Sequence, residues 1–365
     1  MHARLSALLA MLAVAYSSIV SGAEPVTDPN EAPPEFRFVG EYVGSLSVQK
    51  HGVWRPVRVG LQVVAMGEGR FKGVEFLHGL PGADWNGEKK AVLPGELVGN
   101  VVKLDAVPVD VVVDGVTACI GQPWKTPVFG TLRRINRASP TLGMQAPPVA
   151  KVLFADGQAR GLTHVKIAES GLLAEGAATA EPYSDFTLHL EYRLPFMADA
   201  RDQHRSNSGV YLQRRYEVQI LDSFGNDPAF NGAGAIYRTQ PADLSMSFPP
   251  LTWQTYDIRF RPARFEKGEK VANARVTVWH NGVKIHDDYE IPDKTGAGKP
   301  EGPEPLPILF QDHRDPVRFR NIWIVDHAQH PDVVATPRIV AAGRAAETNH
   351  SFPIGTTSIG AATGR

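Results

Sequence analysis

The second half of the chain is built from short stretches with strand periodicity, and no stretch there keeps a helical period over three turns. Apolar and polar side chains alternate over residues 208–221, the pattern of a strand with one buried face. His280-Asn281-Gly282 separates two such stretches and is a hairpin signal, because its turn requires positive φ. Many antiparallel strands without helices must close into a sandwich or a barrel to hide their edges. The sequence therefore predicts an all-β fold over residues 151–326.

A smaller set of strand-like stretches precedes this region. They lie between residues 36 and 136 and are separated by Gly-rich turns, and about a hundred residues is an ordinary domain size. We predict a small N-terminal β domain over 36–136. Its Asp84-Trp85-Asn86-Gly87 has residues suited to a binding loop, but Asn-Gly is first of all a turn signal, so we favour a structural role.

The first 23 residues have the features of a signal peptide. A weakly positive start precedes an apolar run over residues 5–20, and Ser21-Gly22-Ala23 offers a small-x-small cleavage site before Glu24. The run is short for a membrane span, so an uncleaved anchor is the less favoured alternative. We predict export to the periplasm or the extracellular space, with no membrane span after cleavage. The remaining segments are predicted as linkers over 24–35 and 137–150 and a flexible tail over 327–365.

Composition excludes several classes of function. A formal net charge of -1 gives no electrostatic reason to expect nucleic acid or an anionic membrane as a partner. The only cysteine, Cys119, cannot form an internal disulfide. The sequence lacks the H-E-x-x-H, paired-cysteine, phosphate-loop and G-x-S-x-G motifs of zinc proteases, nucleotide enzymes and serine hydrolases.

The most informative stretch runs from Tyr211 to Gln219, which we interpret as one strand. Leu212, Tyr216, Val218 and Ile220 would point into a core. The opposite face would carry Tyr211, Gln213, Arg215, Glu217 and Gln219. An aromatic ring can stack on the C–H face of a sugar, while guanidinium, carboxylate and amide groups bind its hydroxyls. The plain alternative is the solvated face of an antiparallel sheet. Arg214 interrupts the pattern, which indicates a bulge or an edge position.

Two further stretches add polar side chains of the same kind. One face of residues 253–258 carries Trp253, Thr255 and Asp257, and one face of residues 308–313 carries Leu309, Gln311 and His313. We expect a single sheet face to collect Arg215, Glu217, Gln219, Asp257, Gln311 and His313. Within that set His313 is the base that titrates near neutral pH. Glu217 and Asp222 are the carboxylates best placed to join it as acid, orienting group or metal ligand.

At these residues the chain resembles a known family, the 3-keto-disaccharide hydrolase domain. The resemblance extends over about residues 150–326 and is carried, in order, by NSGVYLQRRYEVQILDSFG at 207–225, GAIY at 234–237, WQTYDIRF at 253–260, HNGVKIHD at 280–287 and FRNIWI at 319–324. It implies a concanavalin A-like jelly-roll β-sandwich in an exported protein that acts on carbohydrate. The short N-terminal β domain is similar to the leader domain of planctomycete-type members.

The resemblance also implies a reaction on a 3-keto sugar. A ketone at C3 acidifies the C2–H, a base removes that proton, the C1 substituent leaves, and water adds to the resulting enone. Such a reaction needs a base, an enediolate stabiliser such as a divalent metal ion or Arg, and a group that assists the leaving oxygen. The candidate catalytic residues are His313 or Glu217 as base and Asp222 as orienting group or metal ligand. The candidate substrate-binding residues are Tyr211, Gln213, Arg215, Gln219, Trp253, Asp257, Gln311 and Arg320.

One departure and two alternatives stay open. Family members usually have Gly where this chain has Arg214, so an extra charge would narrow or re-aim the site. A non-catalytic carbohydrate-binding sandwich is the main alternative, since fold does not fix function. A two-carboxylate glycosidase using Glu217 and Asp222 is less favoured, because five positions apart on one strand they face opposite sides.

Overall fold

The computed structural model describes residues 24–50, 53–87, 90–106, 109–122, 125–168 and 170–331. The predicted signal peptide, and the predicted tail beyond residue 331, lie outside the described residues. None of the helices within the described ranges combines the length and the apolar character that a membrane span requires.

The N-terminal region of the described chain forms a closed barrel of eight antiparallel strands in sequential order, with β1 also paired to β8. Val59, Leu61 and Val63 alternate with Arg58, Gly60 and Gln62 along β2 and are fully buried, which is the period-two pattern of a strand. Two short 3₁₀ helices, Pro29–Glu31 and Pro34–Phe38, precede the barrel. The strands are β1 (Gly40–Lys50), β2 (Val53–Ala65), β3 (Arg70–Leu77), β4 (Lys90–Val98), β5 (Val101–Leu104), β6 (Val111–Val113), β7 (Thr117–Gln122) and β8 (Lys125–Ile135).

The second region is a sandwich of two antiparallel sheets. An eight-stranded sheet has the order β10-β9-β23-β14-β17-β20-β21, with β12 paired to β23, and a five-stranded sheet has the order β11-β13-β22-β15-β16. A separate hairpin is formed by β18 and β19. The eight-stranded sheet contains β9 (Lys151–Ala155), β10 (Gln158–Ala159), β12 (Leu173–Ala174), β14 (Phe186–Arg193), β17 (Trp253–Arg261), β20 (Ala274–His280), β21 (Val283–Ile291) and β23 (Arg318–Asp326). The other strands are β11 (Leu162–Thr163), β13 (Ala178–Thr179), β15 (Ser208–Leu212), β16 (Tyr216–Ile220), β18 (Arg264–Glu266), β19 (Glu269–Ala272) and β22 (Leu309–Phe310).

Both sheets contribute to one apolar core. Leu188 and Ile258 of the eight-stranded sheet belong to the same buried cluster as Val210 and Val218 of the five-stranded sheet. A layer shared by two inner faces is the arrangement of a β-sandwich. The predicted all-β, jelly-roll-like fold is therefore confirmed.

The stretch interpreted as one strand is in fact a hairpin. β15 ends at Leu212 and β16 begins at Tyr216, and Gln213 and Arg214 between them both have φ of 51°. The single-strand prediction was wrong because a three-residue turn keeps the alternation in phase, so that Leu212 and Tyr216 pair and both point inward. The turn places Tyr211 directly opposite Glu217.

The barrel and the sandwich share a packed interface. Phe196, Phe224 and Leu251 of the sandwich belong to the buried cluster of the barrel. A backbone β-bridge between Val26 and Phe196 ties the predicted first linker to the sandwich. The N-terminal segment is thus fixed in the structure and is not a free tether.

Candidate functional site

The candidate site lies on the outer face of the five-stranded sheet. Cross-strand pairs Gly209–Gln219 and Tyr211–Glu217 join β15 to β16, and directly opposed residues of an antiparallel pair project from the same face. Gln311 extends this row, because its backbone N–H donates to Gly209 O at 2.8 Å. Sequence alternation therefore predicted correctly that Glu217, Gln219 and Gln311 share a face.

Glu217 is the unusual group on this face. Its side chain is buried and lies over Gly209, where an added Cβ would overlap Oε1 and come within 3.0 Å of Cγ. Burial raises the pKa of this carboxyl to about 7, and a hydrogen bond from Tyr211 opposes the shift. Among the described residues no cation contributes to that pKa or forms an ion pair with Glu217. A carboxyl that titrates near neutral pH is suited to general acid–base chemistry.

An amide cluster positions the Glu217 carboxylate from one side. The hydrogen-bond network assigns the side-chain nitrogen of Gln219 to the position 2.7 Å from Ser208 O and 3.2 Å from Glu217 Oε1, because the opposite orientation leaves its oxygen facing only acceptors. Gln203 lies next to Gln219, and the two side-chain amides are 3.0 Å apart. The Glu217 carboxylate is thus held by residues of both strands of the hairpin, Tyr211 of β15 and Gln219 of β16.

The loop of residues 293–300 covers Glu217. Its backbone is fastened to the β15–β16 turn, with Thr295 N donating to Arg215 O at 2.9 Å and Lys299 N donating to Arg214 O at 2.8 Å. A Cβ at Gly296 would lie 2.8 Å from the ring of half-buried Tyr237 and 3.6 Å from Glu217 Oε2. Gly296 therefore lies close to both Tyr237 and the Glu217 carboxylate.

Two acceptor atoms beside this cluster are buried without a protein partner. Within the described residues, Asn207 Oδ1 and Gln311 Oε1 accept no hydrogen bond. Because buried polar atoms are normally satisfied, such atoms indicate a place for water or for ligand hydroxyls. Asn207 is fixed in this position, since its backbone N–H donates to Asp315 Oδ2 at 2.6 Å.

His313, the predicted base, lies at the rim of the site. β22 ends at Phe310, so His313 belongs to an exposed loop and not to the strand face. It faces the carboxylate of Asp315, as does the exposed His204. Burial raises the pKa of Asp315, and the two histidines oppose that shift.

Two other predicted site residues bind protein groups. Gln213 Nε2 donates to Tyr183 O at 2.9 Å, and Arg215 donates from Nε to Pro300 O and from Nη1 to Glu304 O, both at 2.9 Å. The contact of Arg215 with Pro300 holds the covering loop against the hairpin.

Asp222, predicted as a catalytic partner of Glu217, lies at the barrel–sandwich interface. Its Oδ2 accepts from Arg205 Nε at 2.7 Å, and its Oδ1 accepts from Phe224 N at 3.2 Å. Arg205 in turn donates to Ala65 O of the barrel at 3.2 Å. Asp222 thus fixes the loop that carries Gln203.

The expectation that Asp257 joins Glu217 on one face was wrong, and Trp253 and Arg320 lie apart from it as well. All three belong to β17 or β23 of the eight-stranded sheet. Period-two alternation determines which side of a strand a residue occupies, but not the sheet to which the strand belongs. The guanidinium of Arg320 lies 3.9 Å from the centroid of the Trp253 ring and donates to Glu191 Oε2 at 2.7 Å.

Residues 139–144, from the predicted second linker, cross the outer face of that other sheet, and we name them the interdomain strap. Thr141 Oγ1 donates to Asp257 Oδ2 at 2.7 Å, and Gly143 N donates to Glu191 Oε1 at 2.6 Å. His189 bridges beneath them, with Nδ1 2.6 Å from Asp257 Oδ1. The strap is thus a bound segment over a buried network of charges.

Sequence reasoning missed three residues around Glu217. Gly209 was passed over because it has no side chain, and Tyr237 because it lies in the long loop after β16. Gln203 precedes the strand in a segment with no periodicity. The motifs NSG and GAIY, which carry the family resemblance, were the signal that contained Gly209 and Tyr237.

A metal site requires several ligating side chains to lie close together. Over the described ranges, no three or more His, Cys, Asp or Glu side chains are grouped so that they could hold a metal ion. The divalent cation that the resemblance implies stays a prediction, with no ligand cluster for it in these ranges.

Comparison with known proteins gives a match for the sandwich. Residues 153–325 match the family described as 3-keto-alpha-glucoside-1,2-lyase-like domain, which confirms the resemblance for this part of the chain. No curated protein matches the sequence. A crystal structure of a candidate glycosyl hydrolase from Parabacteroides distasonis is 27% identical, covers 56% of this chain and 94% of its own, and has a TM-score of 0.47. A second candidate glycosyl hydrolase of that organism is 24% identical over 48% of this chain and 98% of its own, with a TM-score of 0.35.

Proposed function

Since residues 153–325 form a 3-keto-alpha-glucoside-1,2-lyase-like domain, we propose that the protein cleaves 3-keto-glycosides on the outer face of the five-stranded sheet. The observation that supports this most directly is Glu217, a buried carboxyl that pairs with no cation among the described residues and whose pKa is raised by burial to about 7. An acid of that pKa is half ionised near neutral pH and can accept a proton from an activated C–H bond.

The proposed reaction begins with proton transfer from C2 of the sugar to the Glu217 carboxylate. The C2–H electron pair forms a C2=C3 bond, and the C3 ketone becomes an enolate. Collapse of the enolate restores the ketone, forms a C1=C2 bond and expels the C1 substituent, which takes up a proton. Water then adds across C1=C2, so the sum is hydrolysis of the glycosidic bond without change of oxidation state.

The neighbouring residues are assigned supporting roles. Tyr211 and Gln219 hold the Glu217 carboxylate through hydrogen bonds. Asn207 and Gln311 are proposed to accept hydrogen bonds from sugar hydroxyls, because their side-chain oxygens are buried without protein partners. Rim residue His313 is proposed to protonate the leaving oxygen. We place this activity outside the cytoplasm, in the periplasm or beyond the cell, on the features of residues 1–23.

The test is turnover of a 3-keto-glucoside and of its unoxidised parent by the purified protein, with and without chelator. We expect cleavage of the 3-keto sugar alone, with release of the aglycone. Glu217→Gln should lower kcat by roughly 10²–10⁴-fold. Glu75→Gln is the matched control, since burial also raises the pKa of that barrel carboxyl, and it should keep full activity.

The alternatives have distinct outcomes. Cleavage of the unoxidised parent alone would identify a conventional glycosidase and contradict the proposal. Saturable binding of both sugars with turnover of neither would identify a carbohydrate-binding module. Full activity of Glu217→Gln would remove Glu217 from the role of base.

A further inference from the structure

A cavity of about 240 Å³ lies between the barrel and the sandwich. It is separate from the Glu217 site, and residues from both domains line it. The barrel side includes Gln62, Phe76, Trp85 and Lys90, and the sandwich side includes Asn226, Asp227, Asp243 and Ser245. We name this cavity the seam pocket.

The apolar wall of the seam pocket is a supported aromatic ring. Trp85 is half-buried and packs edge-on against the nearly fully buried Phe76, with ring centroids 5.1 Å apart and an interplanar angle of 72°. The turn that the sequence predicted around Asp84 and Gly87 is present, with φ of 69° and 82° at these residues. This turn presents the indole of Trp85 to the cavity.

The polar wall offers amide, hydroxyl and carboxylate groups with no excess of positive charge. Lys90 contacts Asp227 across the seam, and the carboxylate of Asp243 lies on the same lining. Lys72 Nζ donates to Asn226 Oδ1 at 2.6 Å, which fixes the sandwich loop against the barrel. One cation against two carboxylates does not suit a phosphate or a sulfate, whereas a neutral polyol can use both donors and acceptors.

Aromatic surface beside such polar groups is the chemistry that recognises a sugar ring, whose C–H face stacks and whose hydroxyls hydrogen-bond. The cavity is smaller than the roughly 300–1,000 Å³ of pockets for drug-sized ligands, so it suits a single ring. We propose that the seam pocket is a second saccharide site that binds one neutral sugar unit. This inference does not depend on catalysis at Glu217.

The loop after β16 keeps the two sites apart. Asn226 and Asp227 of this loop line the seam pocket, while Asn231 and Tyr237 of the same loop lie beside Gln203 and Glu217. A sugar in the seam pocket contacts both domains, so its binding stabilises their packing by mass action. The seam pocket and the Glu217 site are thus lined by different residues of this loop.

The experiment is a titration of the full chain with methyl glucoside, followed by intrinsic tryptophan fluorescence. We expect a saturable change with a Kd on the order of 1 mM, typical of a ligand with few heavy atoms. Trp85→Ala should abolish the change. Ser245→Leu, which keeps the reporter ring and fills the cavity, should weaken binding by at least ~10-fold. Trp54→Ala, at an exposed barrel tryptophan outside the pocket, and Glu217→Gln should leave the change intact.

The proposal would be overturned by the absence of saturation with the unaltered protein, by an undiminished response in Ser245→Leu, or by tighter binding of glucose 6-phosphate than of methyl glucoside. Loss of the response in Glu217→Gln alone would assign it to the other site and would also overturn the proposal.

Discussion

The two sheets of the sandwich each bury ionisable side chains on an outer face, but they treat the charges differently. Beneath the interdomain strap, Glu191 accepts from Arg320, Asn321 and Gly143, and Asp257 faces His189. On the five-stranded sheet, Glu217 has a tyrosine and an amide as neighbours, and no cation of the described part of the chain pairs with it.

The pKa values record this difference. Hydrogen bonds from His189, Asn321 and Arg320 outweigh burial and lower the pKa of Glu191 to about 2, whereas burial raises that of Glu217 to about 7. Burial alone therefore does not mark a functional carboxyl. A buried carboxyl that its surroundings leave uncompensated is the one suited to chemistry, while a compensated carboxyl stabilises the fold.

The largest effect is expected from breaking the compensated network. Glu191→Ala removes the acceptor of Arg320 and of Gly143 N and leaves His189 with one carboxylate, so the free energy of unfolding should fall by about 3–5 kcal/mol. Urea denaturation measures this loss. Activity per folded molecule should be unchanged, and a loss of activity without a loss of stability would contradict the comparison.

A smaller effect is expected from displacing Glu217 without changing its charge. Gly209→Ala places a Cβ where the carboxylate lies, and a displacement of about 1 Å can cost on the order of 10²-fold in kcat. Steady-state kinetics on a 3-keto-glucoside measures it. Gly232→Ala is the matched control, since its nearest contact would be an ordinary 3.4 Å. Equal activity of the two variants would show that the position of Glu217 does not matter.

The two glutamates should also give opposite pH dependences of stability. The pKa of Glu217 is raised from 4.5 to about 7, so its ionisation costs stability as pH rises from about 4.5 through 7. The pKa of Glu191 is lowered from 4.5 to about 2. The stability that ionised Glu191 contributes is therefore present above pH 4.5 and is lost as pH falls toward 2. Each of the two carboxyls changes the free energy of unfolding by up to about 3 kcal/mol.

Substitution by glutamine separates these two contributions. Glu217→Gln should be more stable than the unaltered protein at pH 8, and Glu191→Gln should be less stable there. Thermal unfolding across pH 3–9 provides the measurement, and a shift of the same sign at pH 8 in both variants would refute the assignment. Asp257 and Glu191 raise the pKa of His189 against the effect of burial. His189 therefore adds stability that is lost as pH rises. This contribution is the same in Glu217→Gln and in the unaltered protein.

The smallest effect is expected from Tyr211→Phe. The hydroxyl of Tyr211 lowers the pKa of Glu217 against burial, so its removal should raise that pKa. The inflection of the kcat/KM–pH profile should move upward from about 7, with little change in the alkaline plateau. An unmoved inflection would mean that Glu217 is not the titrating base.

Much of this arrangement could be predicted from residue patterns. The alternation around Glu217 identified the face shared with Gln219 and Gln311, and His280-Asn281-Gly282 identified a hairpin whose Asn281 and Gly282 have positive φ. The turn at 213–215 could not be distinguished from continued strand, because it preserves the phase of the pattern.

The grouping of distant strands could not be predicted from the same patterns. Asp257 was assigned to the face of Glu217 because alternation carries no information about strand neighbours, and β17 pairs with β14 and β20 instead. The strap was interpreted as a linker because Pro, Ser and Gly exclude helix and strand without excluding a fixed path.

The amino-acid sequence by itself determined the all-β architecture, the side of the strand on which Glu217 lies, and the family of the sandwich, because these depend on local periodicity and motifs. Only the tertiary structure decided which carboxylates meet a cation. Glu191, Asp257 and Glu217 are alike as residue types in strands, yet two lie within a network of partners and the third lies over a glycine beneath a loop. Desolvation and charge pairing depend on groups brought together from distant parts of the chain, so they are properties of the fold and not of the local sequence.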